Sequence, residues 1–126
     1  MADDDGPIRS LLASELEMNS FDVESAKDGE EAIELVRAKR EHDDKFDIIL
    51  LDIKMPKADG FQVLKYVKER VPETKVIMVT GFADVNKAVE SMRLGACDFI
   101  SKPYDLEEIL ASVSRALAEP MSDARG

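Results

Sequence analysis

The residues of this chain whose types could do chemistry are the acidic run Asp3–Asp4–Asp5, then Asp52, Thr80 and Lys102. Carboxylates drawn from two places in a chain can hold a hard divalent cation such as Mg2+, which keeps several waters and takes one or two carboxylates together with phosphate oxygens. A central Asp can act as a nucleophile toward a phosphoryl group and form an acyl phosphate. Lys then supplies a cation, and Thr a hydroxyl donor, for the phosphate oxygens. Each residue also has an ordinary reading. A terminal acidic run is commonly a solubilising tail, an Asp after a strand is commonly a turn or cap residue, and Thr and Lys at strand ends are commonplace. What decides between the two readings is whether the elements of the fold bring all of them to one edge.

Those elements follow from a hydrophobic pattern that switches between two periods. From Pro7, which suits a first helical turn, Ile8, Leu11, Leu12 and Leu16 recur at helical spacing. "FDVES" alternates, with Phe21 and Val23 on one face, and predicts a half-buried strand. Asp28 and Gly29 open a second helix with Ala32, Leu35 and Val36 on its apolar side. "DIILLD" places four consecutive apolar residues between carboxylates, the pattern of a strand buried on both faces in a parallel sheet. After "MPKADGF", Phe61, Leu64 and Val67 mark a third helix. "KVIMVTG" is a second fully apolar strand. The fourth helix carries Val85, Ala88, Val89 and Met92 on its apolar side and closes on Gly95. "CDFISKP" is a short strand, and the last helix, capped by Asp105, shows Leu106, Ile109, Leu110 and Val113.

Strands alternating with helices imply right-handed crossovers and a parallel sheet covered on both sides. Ligands of such sheets bind outside the carboxyl ends of the strands, which is where Asp52, Thr80 and Lys102 fall. The pattern yields five helices and four strands, and the strand that should precede the first helix is represented only by Met1 and Ala2.

Composition narrows the function. The 126 residues suffice for one domain with a real core. Seventeen basic against 27 acidic residues give a net charge of −10, which argues against direct nucleic-acid binding by this chain. No apolar run approaches the length of a membrane span and no secretory signal precedes the acidic start, so the expected compartment is the cytoplasm, with no membrane partner. The single Cys97 sits in an apolar stretch and is expected as a buried core thiol. His42 has no second His or Cys at ligand spacing and no expected chemical role.

"DDDGPIR", "DIILLDIKMPKADGFQVL" and "VIMVTGFADVNKAVESMRLGACDFISKP", with the spacings between them, resemble the receiver domains of two-component response regulators. The motif "TGFADVNKAVESMRLGACDFISKP" is most similar to receivers of nitrogen-regulatory-type transcriptional activators. The resemblance implies an α/β, flavodoxin-like, doubly wound parallel sheet, with the N-terminal central strand largely missing from the sequence. It implies a receiver domain over 1–119 and a C-terminal tail over 120–126. Asp52 matches the phosphoacceptor, Asp4 the direct Mg2+ ligand and Asp3 a mainly water-mediated one, with the Lys54 backbone carbonyl and Asp52 completing the metal's protein ligands. Asp5 is then surplus. Thr80 matches the switch hydroxyl, Lys102 the phosphate-pairing lysine, and the bond before Pro103 is expected to be cis. Phe99 falls on the switch aromatic position, where its alternative reading is a core residue of a buried strand.

What the resemblance implies is a signalling switch in a phosphorelay rather than a metabolic enzyme. A sensor histidine kinase or phosphotransfer protein donates the phosphoryl group, the domain assists its own phosphorylation and dephosphorylation, and a downstream effector domain or protein reads the result. The readout surface is expected on the helix after Gly81, strand "CDFI" and the final helix. Nothing effector-like follows "EPMSDARG", so a stand-alone or excised receiver is expected. A dehalogenase-type phosphatase would need a carboxylate two residues after Asp52, where Lys54 stands. The remaining alternative is a phosphorylation-independent interaction module of the same fold. The short start leaves three arrangements open: a start further upstream, neighbouring strands closing over the gap, or a second chain filling it in a homodimer.

Overall fold

Two continuous apolar runs, Ile48–Leu51 and Val76–Val79, form the centre of the molecule. The computed structural model describes residues 6–19, 23–52, 59–80, 85–101 and 105–118, with side chains at all of these except 6–10, 80 and 85. In chain order the elements are α1 (Gly6–Met18), α2 (Gly29–Glu41), β1 (Ile48–Leu51), α3 (Gly60–Arg70), β2 (Lys75–Thr80), α4 (Val85–Arg93), β3 (Asp98–Ser101) and α5 (Leu106–Ala118). Among the described residues the sheet has three strands in the order β1-β2-β3, all parallel. Ile48 pairs with Lys75 and Leu51 with Met78, while Ile77 pairs with Asp98 and Thr80 with Ser101.

Alternation along these strands sends successive side chains to opposite faces. Ile49, Leu51, Val76 and Met78 meet Ala32 and Val36 of α2 and Val63, Leu64 and Val67 of α3. Leu50, Ile77, Val79 and Ile100 meet Leu12 and Leu16 of α1 and Ile109, Val113 and Ala116 of α5. Helices therefore cover both faces, and Leu51, Val76, Ile77 and Met78 are essentially inaccessible to water. This is the α/β layering that the two continuous apolar runs require.

Local chemistry sets the helix ends. Asp28 caps α2, its carboxylate accepting from the Glu31 N–H at 2.8 Å. Asp59 and Gln62 form a reciprocal capping box at the start of α3. At α5 the Asp105 N–H donates to the Glu108 carboxylate at 3.1 Å. Gly95, at φ 104°, turns the chain out of α4 in a conformation that L side chains avoid.

Two expectations from the sequence are corrected, and the exposure of α4 is added to them. Val23–Ser25 of "FDVES" are not strand, and Ala26 makes a single bridge. Phe21 and Asp22 lie outside the described residues. Val23 is half-buried against the core between α1 and α5, so packing on a helical layer suffices to account for the apolar residue there. Val89 and Met92 of α4 are about half exposed, at 50% and 49%, because the apolar side of this helix is wider than the part that meets the sheet. Cys97 is half-buried rather than sealed in the core.

Candidate functional site

A parallel sheet puts every strand's carboxyl end, and the start of every following helix, on the same edge. β1 ends at Leu51, which pairs with Met78 and has no exposed surface, and Asp52 follows at once with only 5% exposure. β2 ends at Thr80, which pairs with Ser101, the last residue of β3. The ends of the three strands thus fall within two residue positions of one another in register, roughly 7 Å along the strand direction. The α3, α4 and α5 helices begin after these ends, so their amide-rich N-termini lie towards this edge and favour an anion there.

Of the residues singled out by sequence, Asp52 is placed with its side chain, buried at this edge. Thr80 is placed by its backbone as the last residue of the adjacent central strand. Phe99 sits on β3 beside Met78, half-buried against the core shared with α2 and α3. The core reading of Phe99 holds, and the residue lies two strands from Asp52, with β2 between them. Asp3, Asp4, Asp5, Lys54, Lys102 and Pro103 lie outside the described residues, Lys102 directly following the last residue of β3.

The described donors fit a hard cation in kind. Asp52 offers carboxylate oxygens, the ligand type that Mg2+ takes, at an edge with no soft thiolate or imidazole beside it in sequence. Among the described residues no group of three His, Cys, Asp or Glu side chains clusters as a complete metal site.

Comparison with known proteins settles what this arrangement belongs to. The family model described as the response regulator receiver domain matches residues 1–114. The chain belongs to this family. The receiver is 36% identical over 117 residues to the regulatory protein AtoC of Escherichia coli, covering 93% of this chain and 24% of AtoC. It is 35% identical over 118 residues to the DNA-binding transcriptional regulator NtrC of the same organism, covering 94% of this chain and 24% of NtrC. The chain thus spans about a quarter of the length of these relatives. In structure the receiver resembles a chain of the CheX-CheY-BeF3-Mg2+ complex from Borrelia burgdorferi, with a TM-score of 0.86, 28% identity, and coverage of 94% of this chain and 87% of that one. The flavodoxin-like fold expected from the motifs is therefore the fold of this receiver.

One polar cluster of the receiver was not singled out by its sequence. The Asp98 carboxylate at the start of β3 accepts from Ser112 Oγ at 2.6 Å, from Arg115 Nη2 at 2.8 Å and from the Phe99 N–H at 2.8 Å. The signal available was faint: a Ser and an Arg three residues apart on one helical face, with an Asp on the strand before that helix.

Proposed function

We propose that this receiver is a phosphorylation-dependent switch in which Asp52 accepts a phosphoryl group from a phosphohistidine on a sensor histidine kinase or phosphotransfer protein. The observation that carries it is the placement of Asp52, buried directly beyond a fully buried strand, on the edge that also receives the ends of β2 and β3. A carboxylate oxygen of Asp52 attacks phosphorus, the P–N bond breaks, and its electron pair returns to the imidazole of the donor. Asp52 carries the product as an acyl phosphate until water releases it. Receivers are regulatory domains in this sense rather than metabolic enzymes.

Asp3, Asp4, Asp52 and the Lys54 carbonyl would hold Mg2+, which, when bound, offsets charge on the attacking and transferring oxygens. Lys102 pairs with the phosphoryl oxygens and Thr80 donates its hydroxyl. The modification adds close to two negative charges and three strong acceptors. Driving a two-state equilibrium from 1:99 to 99:1 takes about 5.5 kcal/mol of differential stabilisation. A charge-assisted hydrogen bond contributes roughly 1.5–3 kcal/mol net, so Lys102 and Thr80 together are about the minimum needed. Phe99 follows the loop after Thr80. The readout then falls on α4, β3 and α5, where Val89 and Met92 already offer exposed apolar surface to an effector domain or a second copy.

The alternative is a phosphorylation-independent module of the same fold. Glu24 and Ala26 share the walls of one cavity of about 20 Å3 with Ile48 and Ile49 of β1. That volume is about one water, so the segment at 24–26 lies close against β1. Among the described residues no helix is long and apolar enough to cross a membrane, in keeping with a cytoplasmic switch.

The test is labelling with acetyl phosphate and Mg2+, followed by mass spectrometry. Wild-type chain should gain one phosphoryl group and Asp52→Asn none; undiminished labelling of Asp52→Asn would sink the assignment.

A further inference from the structure

β3 and α5 are joined in two ways. The chain itself runs from Ser101 through 102–104 to α5, and the Asp98 carboxylate ties the start of the strand back to the helix. Its Oδ2 accepts from Ser112, which is 2% exposed, and from Arg115 one turn further along the same helical face. Its Oδ1 accepts from the N–H of Phe99. One carboxylate thus bonds α5 twice and the backbone at the switch aromatic once. A second tie holds α5 to a different strand: Lys75 Nζ, at the start of β2, donates to the carbonyl of Ala116 at 3.1 Å.

We propose that Asp98 is a positioning residue of the switch, locking β3 and α5 into one body so that displacement of Phe99 and Lys102 is carried into α5. This rests on the reading of Asp52 as phosphoacceptor. Apolar packing of Ile100 against Ile109 and Val113 holds the two elements together but is non-directional and permits sliding. Two hydrogen bonds from α5 to one planar group fix their register as well, and the third, from the Phe99 N–H, orients that group on the strand. With the last turn of α5 pinned to β2 through Lys75, a shift of β3 relative to β2 turns the helix about that pin. Asp98 acts about 6 Å before the pin, at Ser112, four residues of helical rise from Ala116.

The charge state suits the role. Burial, the largest single influence on Asp98, pushes its carboxyl upward. The bonds from Ser112, Phe99 and Arg115, with the charge of Arg115, outweigh it and hold the group below its ordinary value. The clamp therefore stays charge-assisted at neutral pH. Arg115 is largely exposed, so its ion pair alone adds little stability.

The experiment measures acyl-phosphate labelling at Asp52 by mass spectrometry and amide hydrogen exchange across β3 and α5, each with and without acetyl phosphate and Mg2+. Wild-type chain should label and change exchange in both elements. In Ser112→Ala and Asp98→Asn, labelling and the β3 change should persist, while the α5 change falls about twofold or more, the least expected of a coupled pair. Should Asp98→Asn fail to fold, Ser112→Ala, which removes one bond and a single oxygen, carries the test. An α5 change undiminished in the variants would make Asp98 merely structural and overturn the proposal. So would a labelled wild-type chain whose α5 does not respond, with the phosphoacceptor reading left standing. Absence of labelling in the wild-type chain would overturn that reading first and the proposal with it.

Discussion

Asp52 was legible as a single residue because its neighbours constrain it from both sides. Four apolar residues before it demand a buried strand, and a carboxylate can stand only where that strand leaves the core. The acidic run at the start is harder, since adjacent carboxylates differ only in register. On the function proposed above, the spacing to Ile8 and Arg9 makes Asp4 the direct ligand and leaves Asp5 surplus. Asp4→Ala should therefore weaken Mg2+ binding about 10-fold or more, whereas Asp5→Ala should leave it nearly unchanged. Titration of each variant with Mg2+ by calorimetry reads this directly, and equal losses would mean the register is off by one. Asp98 was missed because its partners, Ser112 and Arg115, are far away in sequence and of ordinary type. Only the fold shows that one oxygen receives both.

At the scale of elements, the strands buried on both faces, β1 and β2, were the clearest, because a fully apolar run has few other places to go. The helix ends marked by Asp28, Asp59 and Gly95 were nearly as clear, each reflecting a local hydrogen bond or backbone need. "FDVES" misled because alternation alone does not distinguish a strand from a short segment packed on a helix, and Val23 is the latter in the described part. α4 was read as a helix but its exposure was not legible, because an apolar side reads the same in sequence whether it is covered or left open. Gly95 offers a check on this layer. A methyl group there would meet Lys68 Cδ at 3.1 Å and Cγ at 3.2 Å, on a backbone at φ 104°. The Lys68 ammonium is itself held by the carbonyls of Pro72 and Thr74, at 3.3 and 3.0 Å, so the side chain yields only by giving up those bonds. Gly95→Ala should lose about 1–2 kcal/mol of stability, seen as a lower thermal midpoint. An unchanged midpoint would contradict the account of this turn.

For the whole molecule, the two-faced core and the shared strand edge were readable from the alternation of periods, since no other layering buries two such runs. Which segments pair with one another was not, because pairing across a sheet is a property of neighbours and not of the residues paired. Closure of the segment at 24–26 on β1 predicts a solution mass of one chain, 14.0 kDa, in the absence of phosphoryl donor. Light scattering that gives two chains under those conditions would contradict it. The switch reading predicts that phosphorylation, through the exposed apolar side of α4, raises association with a copy or an effector; a mass indifferent to the donor would leave only the effector.

The pairings of the sheet also govern how the molecule is made. Ile48 and Lys75 are 27 residues apart and Ile77 and Asp98 are 21 apart, so no rung of either ladder is local. Each crossover must close, at an entropic cost, before the first sheet hydrogen bond forms. Because β2 belongs to both ladders, it is where the two closures meet, and damage there slows folding. α4 lies inside the second of these crossovers, so a change that weakens this helix also burdens that closure.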